Sequence, residues 1–241
     1  MLANALLAAA LLQPPPPHLP EPPFTPTSDY AVRELLGFRL YLHPDLKQHP
    51  EEAAAALEEL ESQLRQVRRV VPDKPLAELQ KTPFWIEWER KPRGACEVHV
   101  SAGWLKENGY NPDKLYAVEI NNVRNFVAWS RRTQPWMVLH ELAHSYHHRV
   151  LGADYAPLHE AFRQAQSAKS YEAVKFVHGE TRRAYALTNA SEYFAELTEA
   201  YFGRNDFFPF TAAELREHDP AGFAFLERTW GQPTSRAEIS E

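Results

Sequence analysis

The chain has 241 residues, 44% of them hydrophobic, and a formal net charge of -6. That length suits one globular domain of ordinary size, and an acidic chain without a basic cluster interleaved with aromatics excludes nucleic acid as the expected partner. Cys96 is the single cysteine, which excludes an intrachain disulfide framework and a cysteine-rich zinc site; it reads as a small buried strand residue.

The first twelve residues are almost all Leu and Ala, with Asn4 the only polar side chain. The stretch is too short to cross a bilayer. It resembles the apolar region of a secretory signal, with Ala8-Ala9-Ala10 as a cleavage candidate, although no basic residue precedes it. The expected location is therefore secreted or periplasmic, with no stable membrane insertion. Prolines at 14–17, 20, 22, 23 and 26 make the next stretch polyproline-like. Residues 1–26 are thus expected as signal and linker, and residues 27–241 as a single domain.

Residues 38–42 are aromatic-rich and predict a strand. Residues 51–71 predict a helix, because Leu57, Leu60, Leu64, Val67 and Val71 repeat at 3-4-3-4 spacing and Pro72 stops the run. Residues 84–88 carry bulky groups on both faces and predict an internal strand. Residues 97–101 and 117–121 predict two more, followed by a helix over 123–129. The next helix is expected from Gln134, with Pro135 in its first turn, to Gly152. Further on, helices are expected over 157–168 and 189–202, with irregular chain and a short strand at 174–177 between them. Thr211-Ala212-Ala213-Glu214 is a capping box that opens a short helix. Asp219-Pro220 opens the last one, which ends near Trp230-Gly231. The expected class is α+β: a small mixed sheet, then a mainly helical C-terminal half.

One helix carries chemistry. Leu139, Ala143, Tyr146 and Val150 give it an apolar back at 4-3-4 spacing, widened by Val138 and Leu142. Its other side reads His140-Glu141-Leu142-Ala143-His144. Residues four apart share a helix face, so His140 and His144 can present two imidazoles to one Zn²⁺. Glu141 lies about 100° round the axis, where it can take a proton from a metal-activated water. His147 and His148 read as flanking side chains.

A catalytic zinc takes three protein ligands. A metzincin would need Gly and His where this chain has His147 and Val150, so that pattern fails. Downstream carboxylates include Glu160, Glu172, Glu180 and Glu192. Glu192 is preferred on pattern, since Glu192, Glu196 and Glu199 share a helix face whose opposite side, Phe194, Leu197 and Tyr201, is apolar. Two other readings stand beside it. The acidic face can be merely solvated. Glu192 can also close a capping box on Asn189, unless Thr188 is the cap.

The segment Tyr185-Ala186-Leu187-Thr188-Asn189-Ala190-Ser191-Glu192-Tyr193-Phe194-Ala195-Glu196, following HExxH, resembles the catalytic domain family of anthrax lethal factor. In that family a helix reading N-x-x-E-[FY]-F-A-E follows the HExxH helix after a similar gap. The resemblance covers roughly residues 134–202. It implies a zincin-like fold, Zn²⁺ as cofactor and Glu192 as third ligand. It also implies that Tyr185, seven residues before Glu192, faces the reaction centre and donates to the oxyanion. Glu196 is then expected to accept the second ring N–H of a metal-bound histidine. The strand at 97–101, or failing that 117–121, is expected to hold an extended substrate at its edge. The toxin's targeting domains have no counterpart in the matched stretch, so its substrate choice does not carry over. The expectation is a secreted, monomeric zinc endopeptidase acting on a peptide or protein. The alternatives are a degenerate zincin that binds a partner without turnover, and a scaffold in which HELAH is incidental.

Overall fold

Leu35, Phe38 and Leu40 are buried where the chain first turns back on itself in the computed structural model, which describes residues 23–235. β1 (Ala31–Leu35) and β2 (Phe38–Leu42) pair antiparallel across Leu36-Gly37, both at positive φ, the twist a two-residue hairpin needs. β2 runs parallel to β3 (Phe84–Ile86), and β3 parallel to β5 (Val118–Ile120). β4 (Glu97–Val98) closes the far edge, antiparallel to β5, giving the order β1-β2-β3-β5-β4. β3 and β5 are buried on both faces, as internal strands must be.

α1 (Pro50–Val70) makes the crossover between β2 and β3. Its Leu60, Leu64 and Val67 are fully buried, as the apolar repeat predicts. After α4 (Val123–Arg132) the chain is mainly helical: α5 (Met137–Tyr146), α6 (Ala156–Ala168), α7 (Ala190–Phe202), α8 (Ala212–His218) and α9 (Pro220–Trp230). The molecule is therefore α+β with a small mixed sheet. α7 is its hub, packing on α5, α6, α8 and α9. Every residue from 193 to 202 is buried, the state of a helix enclosed on all sides. Gly203 ends α7 against the Trp136 indole, which leaves no room for a Cβ.

Several boundaries differ from expectation. α5 starts at Met137, because residues 134–136 form a turn instead. Past Tyr146 it widens into a π-helical turn over His147–Leu151, and Gly152 stops it at a φ of 90°. The wider turn changes the helical phase. Val150 consequently swings off the apolar back and is 39% exposed, while Leu139, Ala143 and Tyr146 are buried. β3 and β4 are shorter than their apolar runs. Among the described residues, two strands and two α-helices were not anticipated. β1 buries only Leu35 and so shows no alternation. α2 (Asp73–Leu79) starts directly after Pro72, with Pro75 in its first turn. α3 (Ala102–Glu107) is capped by Ser101. The short strand foreseen at 174–177 is β6 (Val174–Lys175), and it pairs with an unforeseen β7 (Thr181–Arg182).

The signal-like stretch and most of the proline-rich one lie outside the described residues. The end of the expected linker belongs to the folded body. The Thr25 carbonyl accepts from Asn111 Nδ2 at 3.2 Å, and Thr25 Oγ1 bonds His43 Nε2 at 2.9 Å. Among the described residues, no helix is long and apolar enough to cross a membrane.

Candidate metal centre

α5 and α7 lie against each other and bring three ligand atoms to one point. His140 Nε2 and His144 Nε2 are 3.1 Å apart. Glu192 Oε2 stands 3.2 Å from the first and 3.1 Å from the second. Four donors around a metal with bonds of about 2.0–2.1 Å sit roughly 3.3 Å from one another, so the three atoms already have the spacing of a tetrahedral face.

The outer nitrogens are also engaged. Glu199 Oε1 is 2.7 Å from His140 Nδ1, and Ser191 Oγ is 2.8 Å from His144 Nδ1. With the Nδ1 protons directed at those oxygens, both Nε2 atoms present lone pairs beside an anionic oxygen. A cation relieves that convergence, which is the physical ground for reading the trio as a metal site. In the bare protein, protons do the same work. Burial disfavours charge on His140, but hydrogen bonds to Glu192 and Glu199 outweigh it and raise its pKa well above the ordinary value. Burial depresses His144, assisted by its charged neighbour His140. Burial alone would raise Glu192, yet the two imidazoles more than reverse this and hold its carboxyl below the usual range.

Glu141 faces the same cleft, about 640 Å³ in volume, between α5, α7 and the β4 edge. Burial pushes its carboxyl up to about 8; His140 opposes the shift, and the Glu192 and Glu97 charges add to it. The Val98 backbone works against the rise by favouring the ionised form. The Tyr185 hydroxyl donates to Glu192 Oε1 at 3.3 Å and is 48% exposed at the cleft mouth. Burial and then the Glu192 charge push its phenol up to about 12, so it remains a donor at neutral pH.

The structure thus brings His140, Glu141, His144, Tyr185 and Glu192 together, and it corrects several neighbours. Asn189 is the cap of α7, accepting from the Glu192 amide at 2.9 Å, yet the Glu192 side chain turns to the histidines instead of closing a box. Freedom of Glu192 does not require Thr188 as cap. The acidic face is not solvated: Glu196 and Glu199 are 3% and 4% exposed. Glu199, not Glu196, supports His140; Glu196 accepts from Asn205 Nδ2 at 3.2 Å. His147 is buried, with Nδ1 3.1 Å from Ser191 Oγ, whereas His148 lines the cleft. Ser191 itself carried no sequence signal beyond its place before Glu192. Cys96 is half-buried just before β4 and also lines the cleft. β5 lies inside the sheet, so 117–121 offers no free edge; β4 does. Among the described residues, two further groups of ligand-type side chains come together, His140/Glu196/Glu199 and Glu97/His99/Glu119. The first overlaps the site just described. In the second, the Lys114 ammonium lies on Glu119 and stands where a cation would. Compared with protein-family models, curated proteins and solved structures, the chain matches none.

Proposed function

We propose that this protein is a zinc-dependent endopeptidase with a zincin-like active site, of the kind its resemblance to the lethal factor catalytic domain family implies. The observation that carries the reading is the meeting of His140 Nε2, His144 Nε2 and Glu192 Oε2 within 3.2 Å, with Glu141 in the same cleft. Two imidazoles and one carboxylate suit zinc and leave a position open for water. The metal would supply acidity to that water and polarise a carbonyl.

The chain's own residues account for the rest. Glu141 accepts the proton of the attacking water and delivers it to the leaving amine. Tyr185 exchanges its long bond to Glu192 for one to the developing oxyanion. Glu199 and Ser191 hold the two rings in the tautomers that expose Nε2. A peptide has an edge to pair with. The Ala95 carbonyl accepts from Asn121 and His99 pairs with Tyr116 and Ala117, on either side of β5, so the alternate residues Cys96, Val98 and Val100 face the cleft they line.

The test is zinc content and hydrolysis of a diverse peptide library by the parent and by Glu141→Gln. The expected outcome is about one zinc per chain in both, with cleavage by the parent alone. A zinc-loaded parent that cleaves nothing would instead identify a binding domain. A variant as active as the parent would remove Glu141 from the mechanism.

A further inference from the structure

A second pocket of about 440 Å³ opens beside the metal cleft and shares Gln134, Tyr185 and Glu196 with it. Its remaining acidic wall is Asp206. The loop after α7 is bound to the β6–β7 hairpin, with the Val177 amide donating to the Asp206 carbonyl and the Phe208 amide to the Lys175 carbonyl, both at 2.8 Å. That pairing fixes Asp206 opposite Glu196.

The two carboxyls are poorly provided for. Asp206 is 8% exposed, and its Oδ1 has no hydrogen-bond partner among the described residues. Glu196, 3% exposed, has the Asn205 amide as its one hydrogen-bond donor among the described residues. A buried carboxylate without partners is costly, and two together are worse. Arg182 and Arg183 line the same pocket, and the Arg182 charge partly offsets the burial of Asp206, but among the described residues neither forms an ion pair with either carboxyl. Arg182 lies 3.6 Å over the Phe176 ring, and Arg183 donates to the Leu187 carbonyl and faces Glu172. Burial and the nearby Glu199 charge push Asp206 up to about 7. The same causes, with Asp206 first among the neighbours, raise Glu196 well above its ordinary value. The carboxyl torsion is soft, so either oxygen of Asp206 can turn to a ligand.

We propose that this pocket is a cation subsite in which Glu196 and Asp206 receive the guanidinium or ammonium of an Arg or Lys side chain of the substrate. The inference rests on the peptidase reading for its substrate and on the pocket alone for its charge preference. A guanidinium brings several donors to two acceptors that lack them, and its charge cancels their mutual repulsion. Tyr185 stands between pocket and metal, so a side chain seated here belongs to a residue close to the bond being cut.

Two measurements test it. In the first, agmatine is titrated into the zinc-loaded protein by calorimetry. Saturable binding is expected, weakened about tenfold or more by Asp206→Asn and by Glu196→Gln, and unchanged by Glu160→Gln on the exposed face of α6. Affinity in both the Asp206 and the Glu196 variant equal to the parent's overturns the proposal. So does tighter binding of propionate than of agmatine, the result expected if the rim arginines select anions. In the second, the parent and Asp206→Asn digest the same peptide library. Arg and Lys should be enriched at one fixed position by the parent, and the enrichment should vanish in the variant. Cleavage without that enrichment overturns the subsite and leaves the peptidase reading intact. No cleavage, with agmatine binding still lost in Asp206→Asn, removes the peptidase reading and keeps the cation site.

Discussion

The His140 ring joins two carboxylates that lie seven residues apart on α7. Glu192 takes its Nε2 and Glu199 its Nδ1, so the ring lies along the helix between them. Spacing along α7 could not choose between Glu196 and Glu199, since both share a face with Glu192. The choice depends on how α5 lies across α7. Ser191 does for His144 what Glu199 does for His140, with one further constraint. Its single hydroxyl proton cannot serve both His144 and His147, so when it accepts from His144 Nδ1 it donates to His147 Nδ1. Ser191→Ala should therefore lower zinc affinity about 10–100-fold, measured by chelator competition. Glu199→Gln should lower it similarly, and Glu196→Gln should leave it unchanged. If the effects of the two glutamate variants were reversed, the ring support would belong to Glu196. Tyr185→Phe should retain the metal and lower kcat about 10²-fold or more in peptide hydrolysis. A rate close to the parent's would make Tyr185 a wall residue only.

At the scale of elements, the short strands depend on buried charge. Glu119 sits in β5 with no exposure, between His99 Nε2 at 2.6 Å and the Lys114 ammonium, which also reaches Glu87 at 2.5 Å. Burial raises its pKa, but the imidazole and ammonium more than offset this and leave it below the ordinary carboxylate value. A depressed folded pKa gives stability that is complete above the unfolded value, about 4.3, and is lost as pH falls through the folded one. Urea midpoints should thus decline in acid. Glu119→Gln should cost about 1.5–3 kcal/mol at pH 7, because it removes one of the two carboxylates that hold Lys114, while flattening the acid decline. An acid limb of unchanged steepness would place the titration elsewhere. The same contrast decides what the sequence could disclose. α1, α5, α7 and α9 were legible because 3.6-residue periodicity, proline and glycine stops act locally. β1 buries only Leu35 and β7 is two exposed residues, so neither shows the alternation by which the strands at 97–101 and 174–177 were legible. The meeting of Glu192 with His140 and His144 was legible through HExxH and its neighbours. Asp206 was not, because its position follows from the loop after α7 pairing with the β6–β7 hairpin.

Across the whole molecule, the sheet and the helical half meet at a cleft floored by Glu141, Glu192, Glu196 and Glu199, with Asp206 next to it. Folding gathers these acids out of water before any metal is present, and protons on His140 and on the raised carboxyls make that tolerable. A metal that binds only the folded chain adds its binding free energy to stability, about 2.7 kcal/mol at a hundredfold excess over Kd. For a domain of this size that corresponds to a Tm change of roughly 5–10 °C. Chelation should therefore lower Tm by about that amount, and zinc should restore it. The shift should vanish in His140→Ala and His144→Ala and shrink strongly in Glu192→Ala. If Glu192 only capped α7, its removal would cost about 1 kcal/mol and leave the chelator shift whole. Asn189 already makes the capping bond, so the ligand role predicts the other result: a Glu192→Ala protein whose melting responds only weakly to chelator or zinc.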